Sequence, residues 1–104
     1  MIIYLASPYT NGDIAQNIKK VIGYADRLFE MGHTPFIPHL AFLWHLISPK
    51  PVSFWYAYDL IWLSFCDALL RLPGESIGAD KEVQFAKDNC IPVYYSVGEL
   101  DEQN

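Results

Sequence analysis

The apolar run Ile2–Ala6, with the sequence IIYLA, is typical of a strand buried on both faces of a parallel sheet. The loop SPYTNG follows over residues 7–12, and Asp13 then stands where the cap of a helix belongs. Apolar residues recur at helical spacing up to Gly32, which predicts where that helix ends. Residues 33–37 form a second strand, and Pro35 inside it predicts an edge of the sheet.

The remainder of the chain continues this alternation of strands and helices. The predicted helices cover residues 40–47, 53–65 and 77–87, the predicted strands cover 68–72 and 91–95, and 98–104 is an acidic, polar tail. Such alternation implies right-handed crossovers between parallel strands. We therefore predict a single α/β domain over residues 1–104, a flavodoxin-like three-layer sandwich whose small parallel sheet has the order 2-1-3-4.

The strand order itself predicts where a ligand binds. In open parallel sheets, ligands lie beyond the carboxyl ends of the strands, at the point where the strand order reverses. That point falls between strands one and three, which are followed by residues 7–10 and 73–76. The next helix begins there: Ser76 stands at the cap position, where free N–H groups suit an anion, and Gly78 allows a ligand to approach closely.

Composition excludes several classes of partner. The chain has 104 residues, a net charge of −5 and only seven Lys and Arg, which argues against binding of a nucleic acid polymer. Its apolar runs are far shorter than the roughly 20 residues of a membrane span. Charged residues make up 18%, against about 25% in an average soluble protein. Residues 31–58 contain one charge, Lys50, and we predict that this stretch forms a pocket wall and a contact with another copy of the chain.

Two carboxylates are candidates for chemistry. Glu82 lies one turn inside the helix that starts at the predicted crevice, where a carboxylate can act as nucleophile or general base. Asp59 comes from the preceding helix, and two carboxylates meeting at a sugar is the arrangement of glycosidic chemistry. The simpler interpretation of each residue stays open: Asp59 as a surface residue, Ser76 as a plain cap, and Glu82 as a solvated helix charge.

These residues belong to two short motifs. Residues 59–67 read DLIWLSFCD, and residues 76–82 read SIGADKE. The chain resembles the nucleoside 2-deoxyribosyltransferase superfamily, whose motifs D-L-x-W-L-x-x-x-D and S-x-G-x-x-x-E these runs match in order and spacing. The Tyr-bearing first strand and the Pro92-Val93 pair of the last strand extend the likeness over nearly the whole chain. It is most similar to the 2′-deoxynucleoside 5′-phosphate N-hydrolases.

The resemblance implies cleavage of the N-glycosidic bond of a deoxynucleoside or its 5′-monophosphate, with no cofactor. Glu82 is then the nucleophile that attacks C1′, Asp59 holds the sugar or orients Glu82, and Tyr4 contacts the carboxylate or the ribose. Two alternatives remain. One is base exchange between deoxynucleosides, as in a deoxyribosyltransferase, and the other is a non-catalytic nucleotide-binding or interaction domain.

One position separates the two branches of that superfamily. Deoxyribosyltransferases have an acid six residues before the catalytic Glu, whereas this chain has Ser76, as the phosphate-recognising hydrolases do. The first loop of those hydrolases is rich in Gly and Arg, but residues 7–12 contain no basic residue, and Arg71 is the nearest cation. Ser7 and Thr10 are alternative donors. The predicted substrate-binding residues are Ala6, Ser7, Pro8, His39, Ser76 and Gly78.

The remaining histidines, cysteines and aromatic residues receive simpler interpretations. His33, His39 and His45 have no recognised ligand spacing, so we predict no metal site. Cys66 and Cys90 are interpreted as reduced, buried thiols of a cytoplasmic protein. Four aromatic residues either stack a base or pack in the core and a subunit contact: Trp44, Trp55, Tyr56 and Tyr58.

Overall fold

Four parallel strands form one sheet in the order β2-β1-β3-β4. The computed structural model describes residues 1–103, with side chains described to residue 101. Its elements are β1 (Ile2–Ala6), α1 (Ile14–Glu30), β2 (Thr34–Phe36), a 3-10 turn (Pro38–Ala41), α2 (Phe42–Ile47), α3 (Val52–Leu63), β3 (Ala68–Arg71), α4 (Ile77–Asp88), β4 (Val93–Tyr94) and α5 (Val97–Gln103). The predicted α/β fold and strand order are confirmed.

Local sequence signals determine the two long crossover helices. The Asp13 carboxylate accepts a hydrogen bond from the Gln16 N–H at 3.2 Å and so caps α1, which ends just before Gly32 at a φ of +93°. The Ser76 hydroxyl accepts from the Ala79 N–H at 3.1 Å and caps α4 in the same way. Pro35 lies in the edge strand β2, as its missing N–H requires.

The side chains of β1 alternate between two cores. Ile3 and Leu5 pack on the face that α1 and α5 cover, where every residue of the buried cluster is apolar. Tyr4 and Ala6 pack on the opposite face, which α3 and α4 cover. The sheet is therefore the middle of three layers. On the second face, the fully buried Tyr4 brings its hydroxyl into the core, whereas Tyr94 of β4 is half-buried against the first core.

The structure departs from the sequence predictions in three places. Helix α5 occupies part of the stretch taken as a polar tail, because Val97 and Leu100 are buried against the first core. The region predicted as a helix over residues 40–47 begins earlier, as a 3-10 turn at Pro38. The prediction of two buried thiols is wrong for Cys90, which is exposed in the turn after α4 with a positive φ of 58°. Cys66 is buried, and both cysteines are free.

No helix within residues 1–103 is long and apolar enough to cross a membrane.

Candidate active site

A cavity of about 560 Å³ lies beyond the carboxyl ends of β1 and β3, at the point where the strand order reverses. Its volume is that of a small-molecule site. The loop after β1, the segment from Pro38 to α3, and the start of α4 form its wall. Six of the predicted site residues line it: Ser7, His39, Asp59, Ser76, Gly78 and Glu82. The topology thus brings together side chains that are up to 75 residues apart in the chain.

Glu82 is held by the sheet beneath the cavity. Its side chain is only 9% exposed, and one of its carboxylate oxygens, Oε2, accepts a hydrogen bond from the hydroxyl of the fully buried Tyr4. This contact arises because Tyr4 points to the α4 face of β1 and Glu82 lies on the side of α4 that faces the sheet. Glu82 is therefore not a solvated helix charge. Tyr4 does not line the cavity but contacts a residue that does.

Burial governs the protonation of both carboxyl groups. It raises the pKa of Asp59 to about 7. It also raises the pKa of Glu82 to about 8; the Tyr4 hydrogen bond opposes this effect, the Asp59 charge adds to it, and Arg71 opposes it. Burial and the two carboxylates together raise the pKa of Tyr4, so its hydroxyl remains a donor. Near neutral pH both carboxyl groups are therefore partly protonated, Glu82 more than Asp59.

The cavity's two loops are tied to each other. Asn11 Nδ2 donates to the Glu75 carbonyl at 2.8 Å, and Asn17 Nδ2 donates to the carbonyls of Tyr9 and Asn11 at 2.9 and 3.0 Å. Gly74, at a φ of +114°, is required here, because a Cβ at this position would lie 2.8 Å from the Pro8 ring. The Asn11 hydrogen bond and the close approach of Gly74 to Pro8 therefore hold the loop after β1 against the loop after β3. Asn11 and Tyr9 line the cavity, and the sequence analysis assigned neither of them a role.

The start of α4 contributes backbone to the wall. A Cβ built on Gly78 would meet only the Ser76 hydroxyl, at 4.0 Å, so the helix surface is open to a ligand at this point. The Ser76 hydroxyl already accepts the Ala79 N–H. The plain-cap interpretation of Ser76 therefore holds, and the same residue also lines the cavity.

His39 supports the first loop. Its Nε2–H donates to the Pro8 carbonyl at 2.9 Å, the ring is 4% exposed, and burial lowers its pKa, so it is neutral near pH 7. Its Nδ1 atom is buried, with no hydrogen-bond partner in the described part of the chain. Pro8 and Ala6 are buried behind the wall rather than in it, so the structure does not bring these two predicted substrate-binding residues to the cavity surface.

Arg71 is engaged elsewhere. Its guanidinium donates to the carbonyls of Leu72 and Gly74 and forms an ion pair with Asp80 at 3.1 Å. It does not line the cavity. Lys50 is the one Lys or Arg among the described residues of the wall, which also contains three acids: Asp59, Glu75 and Glu82.

One corner of the cavity is built by α2, the following loop and α3. Trp55 and Tyr56 line it, whereas Trp44 and Tyr58 do not, and Trp44 packs edge-on against both Trp55 and Tyr58. His45 also lines it, and its Nδ1 accepts a hydrogen bond from the indole Nε1–H of Trp55 at 2.7 Å. The sequence signal for this corner was the near absence of charge over residues 31–58.

Metal ligands do not gather at the cavity. Within the residues that the structure describes, no group of three or more His, Cys, Asp and Glu side chains is arranged to hold a metal ion.

Comparison with known proteins places the fold. A family model described as a domain of unknown function (DUF7768) matches residues 1–96. A search of curated proteins found no match. Among solved structures, the chain is similar to the 2-deoxyribosyltransferase of the psychrotolerant bacterium Bacillus psychrosaccharolyticus, a biocatalyst for the synthesis of antiviral and antitumoral nucleosides. The TM-score is 0.66 at 24% identity, over 89% of this chain and 69% of that one, so the two share a fold.

Proposed function

The chain belongs to the DUF7768 family, and we propose that it cleaves the N-glycosidic bond of a 2′-deoxynucleoside. The observation that carries this proposal is that the buried, hydrogen-bonded pair Tyr4 and Glu82 and the half-buried Asp59 lie in and beneath the cavity wall. A carboxylate that is buried, hydrogen-bonded and open to a cavity of this size is suited to attack on a sugar. The likeness to a 2-deoxyribosyltransferase fold supports the same class of substrate.

In the proposed reaction, a Glu82 oxygen bonds to C1′ of the deoxyribose as the bond from C1′ to the base nitrogen breaks. The base leaves with the bonding electron pair, and the sugar remains as an ester of Glu82. A water molecule then attacks C1′ as the bond from C1′ to the Glu82 oxygen breaks and frees the carboxylate; the water's hydroxyl stays on the sugar, and its proton goes to the departed base. The carboxylate stabilises the positive charge that develops on the sugar in both steps.

Tyr4 and Asp59 prepare Glu82 for this role. The Tyr4 hydroxyl donates to Oε2, so it fixes the plane of the carboxylate and leaves Oε1 for the sugar. With a pKa of about 8 for Glu82 and about 7 for Asp59, a single proton in the pair lies mainly on Glu82, and the attacking carboxylate forms when Glu82 loses that proton near pH 8. The ionised Asp59 then accepts a hydrogen bond from a sugar hydroxyl. Tyr4 is accordingly a positioning residue, and Glu82 and Asp59 are catalytic residues.

The remaining wall residues bind the sugar. We assign Ser7 and Thr10 as donors to the sugar, while the buried His39 holds the first loop in place through the Pro8 carbonyl. Ser76 and Gly78 form the floor on which the sugar lies. Ala6 and Pro8 act through the backbone behind this wall, since the Pro8 carbonyl orients His39.

The charges in the wall favour the free deoxynucleoside over its 5′-monophosphate. Three acids and one lysine line the cavity, and Arg71 is occupied by Asp80 and two carbonyls. Lys50 is the one cation of the described wall residues that could pair with a phosphate group, and Glu75 and the ionised fractions of Asp59 and Glu82 would repel it. We expect kcat/KM for a deoxynucleoside to exceed that for its 5′-monophosphate. The opposite order would assign the site to the phosphate-dependent branch.

Base exchange is the second candidate, because the structural neighbour is itself a 2-deoxyribosyltransferase. The same Glu82 ester serves both reactions, and only the acceptor differs: water in one, a free base in the other. Adding a second base to the cleavage assay separates them. A new deoxynucleoside in the products indicates transfer, and free deoxyribose alone indicates hydrolysis.

The decisive variant is Glu82→Ala, measured by chromatography of the released base. The matched control is Asp88→Asn, which removes an exposed carboxylate from the same helix at its far end. We expect the wild type and the control to release base and Glu82→Ala to release none. If none of the three turns over a deoxynucleoside but the wild type binds one, the chain is a nucleoside-binding domain.

The exposed apolar side chains of α2, of α3 and of the turn after α3 support assembly with a second copy of the chain. Leu43, Ile47, Ile61 and Phe65 are 68%, 86%, 59% and 71% exposed, and burying them would explain the low charge of this region. We expect a homodimer by light scattering and a monomer for Ile47→Glu. A monomeric wild type would contradict this assignment. The two free cysteines fit a reducing compartment such as the cytoplasm.

A further inference from the structure

The imidazole of His45 has a fixed proton position. Its Nδ1 accepts hydrogen bonds from the Trp55 indole N–H at 2.7 Å and from the Lys50 backbone N–H at 3.3 Å. Both partners can only donate, so Nδ1 must present its lone pair and the ring proton must lie on Nε2. The sequence positions of the three residues, on α2, the following loop and α3, show that the fold itself sets this tautomer.

The Nε2–H of His45 is an open donor. Within the described residues it has no hydrogen-bond partner, and it is not among the polar atoms that are buried without one. The residue lines the cavity. A donor that is locked in one tautomer and left unpaired in a cavity wall is suited to recognise an acceptor on a ligand.

The place of His45 relative to the carboxylates follows from α3. Trp55, which holds His45, precedes Asp59 by four residues, and both line the cavity. They are therefore about 6 Å apart along the helix axis. Asp59 is assigned to the sugar in the proposed function, so the base belongs one helical turn further along the wall, in the corner of Trp55 and His45.

The polar side chains of this corner favour one kind of base. The His45 Nε2–H can only donate, and the Tyr56 hydroxyl can donate or accept and so favours neither kind. The Lys50 ammonium lies over the Phe54 ring, 5.6 Å from its centroid. An exocyclic oxo group on the base would accept from the His45 Nε2–H. An exocyclic amino group would place a donor against that donor and leave both unpaired, which is how sites reject an analogue.

We propose that His45 recognises the exocyclic oxo group of the departing base, so that the chain prefers 6-oxopurine and 4-oxopyrimidine deoxynucleosides to their amino counterparts. This rests on the proposed function, which it deepens. The contact also assists bond breaking. As the base leaves, its negative charge spreads to the oxo oxygen, and a hydrogen bond to that oxygen strengthens in the transition state.

The test compares deoxyinosine with deoxyadenosine, and deoxyuridine with deoxycytidine, by kcat/KM. In the wild type we expect a preference of at least about tenfold for the oxo member of each pair. In His45→Asn, whose short amide can accept from Trp55 but does not extend as far as Nε2, we expect the preference to fall to within about twofold. His45→Gln, which carries a donor about as far out as Nε2, should restore part of it.

A second readout does not depend on turnover. In protein labelled with ¹⁵N at histidine, the His45 resonances should show a protonated Nε2 and an unprotonated Nδ1, and hypoxanthine should bind at least about tenfold more tightly than adenine. Equal affinities, or a protonated Nδ1, would overturn the inference. So would an oxo preference that His45→Asn leaves unchanged while cleavage itself is intact. If base selectivity in binding is found but no deoxynucleoside is cleaved, the inference stands and the proposed function fails.

Discussion

The two faces of the sheet are built from the same four strands but hold different kinds of residue. On the face covered by α1 and α5, every buried cluster residue is apolar, from Ile3 to Leu100. On the opposite face, Tyr4 lies in the core and donates to the buried Glu82, and the helix α3 carries Asp59. Neighbouring residues of one strand, Tyr4 and Leu5, fall on the two sides.

The difference shows how a small domain divides its tasks. The first face supplies stability through burial of apolar side chains. The second face gives up part of that stability, because it buries carboxyl groups whose pKa values rise to about 7 and about 8. If this division is correct, substitutions on the second face should change activity and pH dependence, and substitutions on the first should change stability alone.

The largest expected effect is that of Glu82→Gln on activity. The amide is close in size to the carboxylate and can still accept from Tyr4, but it cannot attack C1′, so base release should fall at least about 1000-fold. The same change removes a buried group that must ionise as pH rises, so the variant should melt at a higher temperature than the wild type at pH 8. A lower melting temperature of the variant at that pH would show that ionisation of Glu82 does not destabilise the fold.

Leu28→Ala tests the first face. Leu28 is fully buried between α1 and the sheet, so the truncation should lower the free energy of unfolding by about 3 kcal/mol, within the usual range of about 2–5 kcal/mol. Denaturant unfolding measures it. Activity per folded molecule should match the wild type. A change in the substrate preference or in the pH profile of this variant would show that the two faces are coupled.

Stability should fall as pH rises, in contrast to most proteins. The pKa of Glu82 is about 8 in the folded chain against an ordinary value of 4.5, so its contribution is fully present below about pH 4.5 and is lost as pH rises through about 8. Asp59 acts in the same direction up to about 7. Over the pH range in which the carboxyl group is protonated in the folded chain but ionised in the unfolded chain, the free energy of unfolding falls by about 1.4 kcal/mol per pH unit. Unfolding of the wild type and of Glu82→Gln between pH 5 and 8 should therefore diverge, with the flatter curve for the variant.

Tyr4→Phe should have the smallest effect. It leaves the packing of the ring in place but removes the donor that lowers the pKa of Glu82, so that pKa should rise. We expect kcat/KM to fall by about tenfold at pH 7, the size of one lost hydrogen bond. In the pH profile of kcat/KM, the limb that rises as Glu82 ionises should move to higher pH in Tyr4→Phe. A residue with a merely structural role would leave that limb where it is in the wild type. An unshifted limb would mean that Tyr4 does not act through Glu82.

The sequence predicts the first face and the strand order well for a physical reason. Apolar runs such as Ile2–Ala6 and the edge proline Pro35 are local signals, and the topology follows from them. Helix α5 was missed because only Val97 and Leu100 of its short, acidic sequence are buried, and their partners lie in distant elements.

The site was only partly predictable. Glu82 and Asp59 stand in motifs with a definite spacing, and the strand order predicts the crevice to which they belong. Residues such as Asn11, His45 and Trp55 carry no motif. Their roles depend on contacts between segments that only the folded chain brings together, such as the bond from Trp55 to His45. Arg71 is the opposite case. The sequence indicates it as a cation near the site, but in the fold its guanidinium forms an ion pair with Asp80.

The central claim is that Glu82 forms a bond to the sugar. Its most direct test is the mass of the intact protein after incubation with a 2′-fluoro-2′-deoxynucleoside, in which the electron-withdrawing fluorine destabilises the positive charge on the sugar and slows release of the ester. We expect one added fluorodeoxyribosyl group per chain, located on Glu82 by peptide mapping, with one equivalent of base released. Base release without an adduct, or an adduct on any other residue, would contradict it.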